Sequence, residues 1–411
     1  MHIHNITRST GMSAPEVGMS APEVATDLSF GVELKFLVPC LSPEEQGPRK
    51  SESPPVLRIG EKKTRPDLWA GVHFIVAETI RISAGQQAIT RCQIDQRCQE
   101  ERDYWETHWI VKKANSAEPA AEYSGYNDYT WVPVEVSSPK LGWTDTNSLP
   151  TVRKVIRALQ ERHHIVSNHS CEVHVHVGRR DGKQFSLTTL KRLGSICWLA
   201  EPYIRAVKDP KSPNFNHKYT WSSPLRERSR LAIRLEDPLQ SKPKHSSSSP
   251  ICLRPFLDIS HSQELEDSKD FRALKEIWMS PSPKDLGMML SGPERRYRRL
   301  GLNFNAYGDD PDGLQQTSKT FECRFLEGVL SNNMVSGWIT IICTMVEVAL
   351  DNQTPDRRFE VAVDRLLGED RALPRDQGFE EFCRDLQIDE SHYEPFITMI
   401  RRNGNGTDFG G

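Results

Sequence analysis

Six stretches alternate apolar and polar positions with a period of two, and each predicts a β-strand. In Leu28–Pro39, LSFGVELKFLVP, Phe30, Val32, Leu34, Phe36 and Val38 alternate with Gly31, Glu33, Lys35 and Leu37. His108–Lys113, Thr130–Leu141, Cys171–Gly182, Arg299–Tyr307 and Thr320–Gly328 follow the same rule. Between them the period changes to that of a helix. Trp69, Val72, Val76 and Ile80 mark a helix over Asp67–Ser83, and Val152, Val155, Ile156 and Leu159 mark one from Ser148 to about His164. Ser148 is its expected N-cap, with Pro150 in the first turn. Further helices are expected over Ser186–Val207, residues 269–280, Asn333–Asp351 and, as two or three amphipathic pieces, residues 356–402.

Strands interleaved with helices predict an α/β or α+β sheet with helices on at least one face. Low-complexity stretches then divide the chain. GMSAPEV occurs twice in tandem, Gly11–Val17 and Gly18–Val24, too short and polar to bury a core, so residues 1–27 are expected to be a disordered leader. Residues 42–66 and the Pro- and Ser-rich 208–262 are expected to be flexible inserts, the second a possible lid. The main domain then spans 28–352, followed by a helical extension over 353–402 and a glycine-rich mobile tail over 403–411.

Composition narrows the function. The 411 residues carry a net charge of −3, which gives no footprint for nonspecific nucleic-acid binding. No apolar run approaches the length of a membrane span, and MHIHNITRST lacks the apolar core of a secretory signal. Nine scattered cysteines fit reduced thiols, and a cytoplasmic location is expected. Cys92 and Cys98 form a close pair with no second pair at zinc-site spacing.

The candidate chemistry sits on the strands. Residues two apart on a strand share a face roughly 6.5–7 Å apart, so His174 and His176 of CEVHVHVGRRDG project together while Val173, Val175 and Val177 pack the other side. Glu33 and Lys35, Glu135 and Ser137, and Glu322 and Arg324 follow the same i, i+2 rule. If these strands are neighbours, Glu33, Glu135, His174, His176 and Glu322 converge on one face with Arg324 beside them. Carboxylates with an imidazole suit Mg²⁺ or Mn²⁺, and an arginine with a second histidine suits phosphate oxygens. Each group also has a plainer use: a solvated strand face, a same-face ion pair, or a cross-strand partner.

Taken together, FGVELKF, VPVEVSSPKL, CEVHVHVG, LGLNFNAY and TFECRFLEG before an apolar helix resemble the amidoligase family, over about residues 28–350 without the two inserts. That family shares the carboxylate–amine ligase fold of glutamine synthetase and glutamate–cysteine ligase. The resemblance implies a curved, mainly antiparallel sheet of α+β class, with helices on its outer face and ATP–Mg²⁺ (or Mn²⁺) on the inner one. By similarity Glu33, His174 and Glu322 would hold the metal. His176 would contact a phosphate oxygen, and Arg324 would bind the nucleotide and stabilise the transferring phosphoryl group. Glu135 would help at a second metal or at the amine.

The implied reaction activates a small-molecule or peptide carboxylate as an acyl phosphate, which an amine then converts to an amide. Two positions depart from the family pattern. The first strand usually reads G-x-E-x-E, with its second Glu a ligand of another metal, where this chain has Lys35; an ammonium cannot ligate a metal. Asp-x-Ser is usual after the strand ending near Lys113, where this chain has Ala114-Asn115-Ser116. Lys35 therefore either replaces one metal's charge or marks an impaired homologue that binds a nucleotide or peptide. A zinc hydrolase using the His-x-His pair is the remaining alternative, with no further His or Cys ligand on the matching strands.

Overall fold

The computed structural model describes residues 24, 27–42, 54, 56–60, 64–120, 128–215, 222–236, 268–294, 299–308, 319–350, 358–368 and 373–404. The tandem repeat up to residue 23, most of both expected inserts and residues 405–411 lie outside them. Among the described residues, one sheet of nine strands organises the molecule.

Its first strand, β1 (Leu28–Leu41), is also the longest and the most central. The strands β2 (Leu57–Arg58), β3 (Ala88–Thr90), β4 (Trp109–Lys112), β5 (Thr130–Ser137), β6 (Leu141–Gly142), β7 (Glu172–Arg179), β8 (Leu302–Asn303) and β9 (Phe321–Glu327) complete it. The order across the sheet is β3-β4-β5-β1-β7-β9-β8, with β2 and β6 each pairing with β1. β1 with β2 and β3 with β4 are parallel pairs, and the other pairings are antiparallel. The chain is thus a mixed α/β fold on a mostly antiparallel open sheet.

One face of the sheet is apolar and covered by helices. Leu34, Phe36, Val134, Val136, Val173, Val175, Phe321 and Cys323 are buried in a single core. Helix α1 (Arg65–Ser83) lies over β4 and β5, the short α2 (Arg91–Gln96) stands against β3 and β4, α3 (Ser148–Arg162) lies beside α1, and helix Asn332–Ala349 over β7 and β1. Helix α4 (Leu187–Arg205) forms the next layer with Lys269–Met279, Arg358–Gly368 and Arg375–Asp385. The last helix, Glu390–Asn403, crosses Asn332–Ala349 at Gly337, where a Cβ would stand 2.2 Å from the carbonyl oxygen of His392. Only glycine permits that approach.

Several elements differ from expectation. The N-cap of α3 is Asn147; Ser148 is its first residue and donates to Gly142 O at 2.8 Å. The strand expected over Arg299–Tyr307 shrinks to two residues, because Asn303 Oδ1 accepts from the Asn305 amide at 3.0 Å and turns the chain. Leu326, two residues beyond Arg324 and so on the same face by strict alternation, packs in the apolar core instead. A register shift between β7 and β9 pairs it with Val173. The presumed insert also contains helices Leu225–Arg228 and Arg230–Glu236, with Leu225 and Leu231 buried. Their start is held from another helix: Leu225 and Arg226 amides donate to the Glu201 carboxylate of α4 at 2.6 and 2.7 Å.

Candidate functional site

The opposite face of the sheet carries the charges. In the register of β1 with β7, Glu33 stands opposite His174 and Gly31 opposite His176; β9 adds Glu322 opposite His176. The absence of a side chain at Gly31 leaves space beside His176. Glu33, His174, His176 and Glu322 each offer one donor atom, and the four atoms lie within 4.8 Å of one another.

His174 is the hub, and it is 1% exposed. Its Nδ1 lies 2.9 Å from Glu33 Oε2 and 3.1 Å from Glu322 Oε1, and its Nε2 lies 2.8 Å from Glu172 Oε2. Burial and the nearby Arg324 and Lys35 cations oppose a charge on this imidazole. Glu172 and Glu322 outweigh them and push its pKa up to about 9. Burial likewise works to raise the Glu33 carboxyl, but the two imidazoles hold it well below the usual range. Glu322 is also held low against burial, first by Arg324 and then by the histidines. Asn303 Nδ2 donates to Glu322 Oε2 at 2.6 Å, and Arg324 Nη1 lies 3.2 Å from Oε1.

His176 has one half-filled side. Nδ1 lies 3.3 Å from Thr320 Oγ1. Nε2 is buried without a hydrogen-bond partner, 3.5 Å from Glu33 Oε1 and 3.4 Å from Glu322 Oε1. An orphaned ring nitrogen between two carboxylates, beside a second imidazole, is a donor set that fits a divalent cation with mixed nitrogen and oxygen ligands. The Glu172 carboxylate behind His174 is the outer partner that such an imidazole ligand ordinarily has.

Above this group opens a cavity of about 530 Å³. Glu33, His176 and Glu322 line it, and Lys112, Arg179 and Lys319 stand among its other walls. The sequence-expected residues therefore separate into two sets. Lys35, Glu135, His174 and Arg324 belong to the same face but do not line the cavity. Lys35 Nζ lies 3.0 Å from His174 Nε2 and 3.4 Å from Glu172 Oε2. Glu135 stands opposite Lys35 on β5 and lies 3.5 Å from Lys112 Nζ. Burial, with Glu33 as a neighbour, raises its pKa despite Lys112 and Lys35. Arg324 was expected at a transferring phosphoryl group, whereas its polar contacts are with Glu322 behind the cavity wall.

Three participants were not anticipated. Glu172 continues the period-two series of His174 and His176 and was legible in it. Lys112 and Thr320 have no comparable local signal, since their place depends on how β4 and β9 pair. The Cys92 and Cys98 thiols are both exposed and free, apart from this site.

Residues 92–252 match a family model described as putative amidoligase enzyme. The family resemblance read from the strand motifs is thereby borne out, and it suggests a ligase. The amidoligase match covers somewhat less than half of the chain and takes in β5 and β7, with Glu135, Glu172, His174 and His176. Glu33, Lys35, Glu322 and Arg324 lie outside it and reach the same face through strand pairing. No curated protein matches the chain. Among the described residues no helix is long and apolar enough to cross a membrane.

Proposed function

We propose that this protein is an ATP- and divalent-cation-dependent carboxylate–amine ligase, with Mg²⁺ or Mn²⁺ as the ion and a glutamine synthetase-like catalytic domain over residues 28–352. The observation that carries the reading is the four-donor group Glu33, His174, His176 and Glu322 at the wall of a cavity flanked by Lys112, Arg179 and Lys319. Glu33, His174 and Glu322 hold the ion, and His176 Nε2 completes the set. When bound, the ion offsets charge on the nucleotide phosphates and on the oxygens that change partners.

The residues of this chain do the rest. Arg324 and Asn303 fix the Glu322 carboxylate, and Glu172 fixes the His174 ring. Lys112, Arg179 and Lys319 face phosphate oxygens as donors. A substrate carboxylate oxygen attacks the γ-phosphorus of ATP, ADP leaves, and an acyl phosphate results. An amine nitrogen then attacks the acyl carbon, phosphate leaves, and the nitrogen loses a proton as the amide forms. Glu135 does not line the cavity and lies 3.5 Å from Lys112 Nζ, so it acts through Lys112.

The test measures ADP release and amide mass with ATP, Mg²⁺ or Mn²⁺, and a panel of amino acids, short peptides and amines. Turnover lost in Glu33→Ala and His174→Ala is expected. Metal-dependent ATP binding by calorimetry without turnover on any pair would favour the second reading, a nucleotide-binding homologue that has lost catalysis, for which Lys35 is the motive. Failure to bind ATP with any cation would sink both.

A further inference from the structure

The cavity covers more of the sheet than the four-donor group does. Glu33, His176 and Glu322 stand on β1, β7 and β9, and the walls on that side add Arg179, Arg299 and Lys319. Beyond the donor group those walls hold cations and, among the described residues, no carboxylate, which suits nucleotide phosphates. The cavity then continues past β1 over β5 and β4, two strand spacings or about 10 Å further.

This second arm has walls of both signs and one broad apolar surface. Trp105 and Glu106 lead into β4, Lys140 follows β5, and all three line the cavity. The Lys140 amide donates to Trp105 O at 2.6 Å and ties the two segments together. Trp105 is half-buried, packed against Ile89, Ile94, Tyr104 and Ile110, so its indole is held in place at the wall. The side chains of Glu106 and Lys140 form an ion pair, with that of Glu106 65% exposed. Such a pair adds little to stability, so its members can turn to a ligand at small cost. Glu101, in the same arm, is already held by Lys112 and Arg91, each at 2.9 Å. Glu106 and Lys140 balance each other, so a guest with a net charge would find no compensation there. A zwitterion meets both.

We propose that Trp105, Glu106 and Lys140 form the amine-substrate subsite, and that the amine is a free amino acid with a large apolar side chain. Its ammonium meets Glu106, its carboxylate meets Lys140, and its side chain lies on the Trp105 indole. This assignment rests on the ligase reading above.

The test is calorimetry on the full chain with Mg²⁺ and the non-hydrolysable ATP analogue adenylyl imidodiphosphate, titrated with L-phenylalanine, L-phenylalaninamide and glycine. L-Phenylalanine should bind about 10-fold more tightly than either, since the amide lacks the carboxylate and glycine lacks the ring. Lys140→Met should erase the preference over the amide, and Trp105→Ala the preference over glycine. Glu106→Gln should weaken L-phenylalanine and its amide alike, by about 10-fold. Equal binding of L-phenylalanine and its amide to the wild type, or an unchanged preference in Lys140→Met, would overturn the proposal. If Trp105→Ala does not fold, the wild-type preference over glycine decides that part alone. Analogue binding with no binding of L-phenylalanine would overturn this subsite and leave the ligase reading standing. No analogue binding with any cation would overturn the ligase reading, and this one with it.

Discussion

Two faces of one sheet are buried almost equally and held together by opposite means. On β1, Leu34 is 0% exposed on the helix-covered face, and its neighbour Lys35 is 5% exposed on the other. On β7, Val173 and Val175 point to the core while Glu172 and His174 point to the site. The apolar face gains free energy from each buried side chain, roughly in proportion to area and with little dependence on which neighbour supplies the contact. Glu172, His174, Glu322, Lys35 and Arg324 on the charged face are desolvated, and the loss is offset only by particular partners at particular distances. One face therefore tolerates repacking, and the other acts as a unit.

Substitutions on each face sharpen that contrast, beginning with the largest effect. Arg324→Met would leave the buried Glu322 carboxylate without its guanidinium partner, and should destabilise the fold by about 3–5 kcal/mol in urea unfolding. Leu34→Ala, one residue from two site residues, should cost about 2–5 kcal/mol as a cavity. Mn²⁺ affinity in the still-folded protein should not change. An equal loss of affinity there would mean the two faces are not separable.

The helix side carries its own buried polar group, which sets a pH test. Burial, aided by Arg162, lowers the His163 pKa to about 4, and Thr79 Oγ1 lies 2.8 Å from its Nε2. The unfolded chain takes up this proton near pH 6.5 and the folded chain does not. The contribution is thus complete above about pH 6.5 and is lost as pH falls towards 4, by about 2–3 kcal/mol. His163→Gln should flatten the fall of the urea midpoint across that window; an unchanged slope would refute the assignment. Glu172→Gln keeps the shape of the charged face and removes one charge, so Mn²⁺ should bind about 10–100-fold more weakly by calorimetry. Arg91→Ala removes the pairs of a half-exposed guanidinium with Asp95 and Glu101 and should shift stability by about 1 kcal/mol or less, marking the floor of the scale.

Much of the fold was legible because alternation is a local property. β1 and β9 stand within two residues of the expected strands, as do the helices over 65–83, 187–205 and 332–349, while β5 and β7 begin within one residue of the expected stretches and end three or four residues short of them. β2, β3 and β6 were not found, since two or three residues hold no periodic signal and exist as strands only through their partners. Helices Leu225–Arg228 and Arg230–Glu236 were hidden in a Pro- and Ser-rich stretch because the carboxylate that starts them comes from Glu201. The candidate site was legible as residue pairs: Glu33 with Lys35, His174 with His176, Glu322 with Arg324.

The amino-acid order by itself determined which side chains share a strand face, because the period of two is built into the backbone. It thereby separated apolar from charged positions along every long strand. Only the tertiary structure decided which pairs meet and how deeply. The register places Glu33 opposite His174, and the β9 shift turns Leu326 into the core. Lys35 is set behind the imidazole instead of in the cavity. Register and depth arise from hydrogen bonds and packing between strands more than a hundred residues apart, and no local pattern contains them.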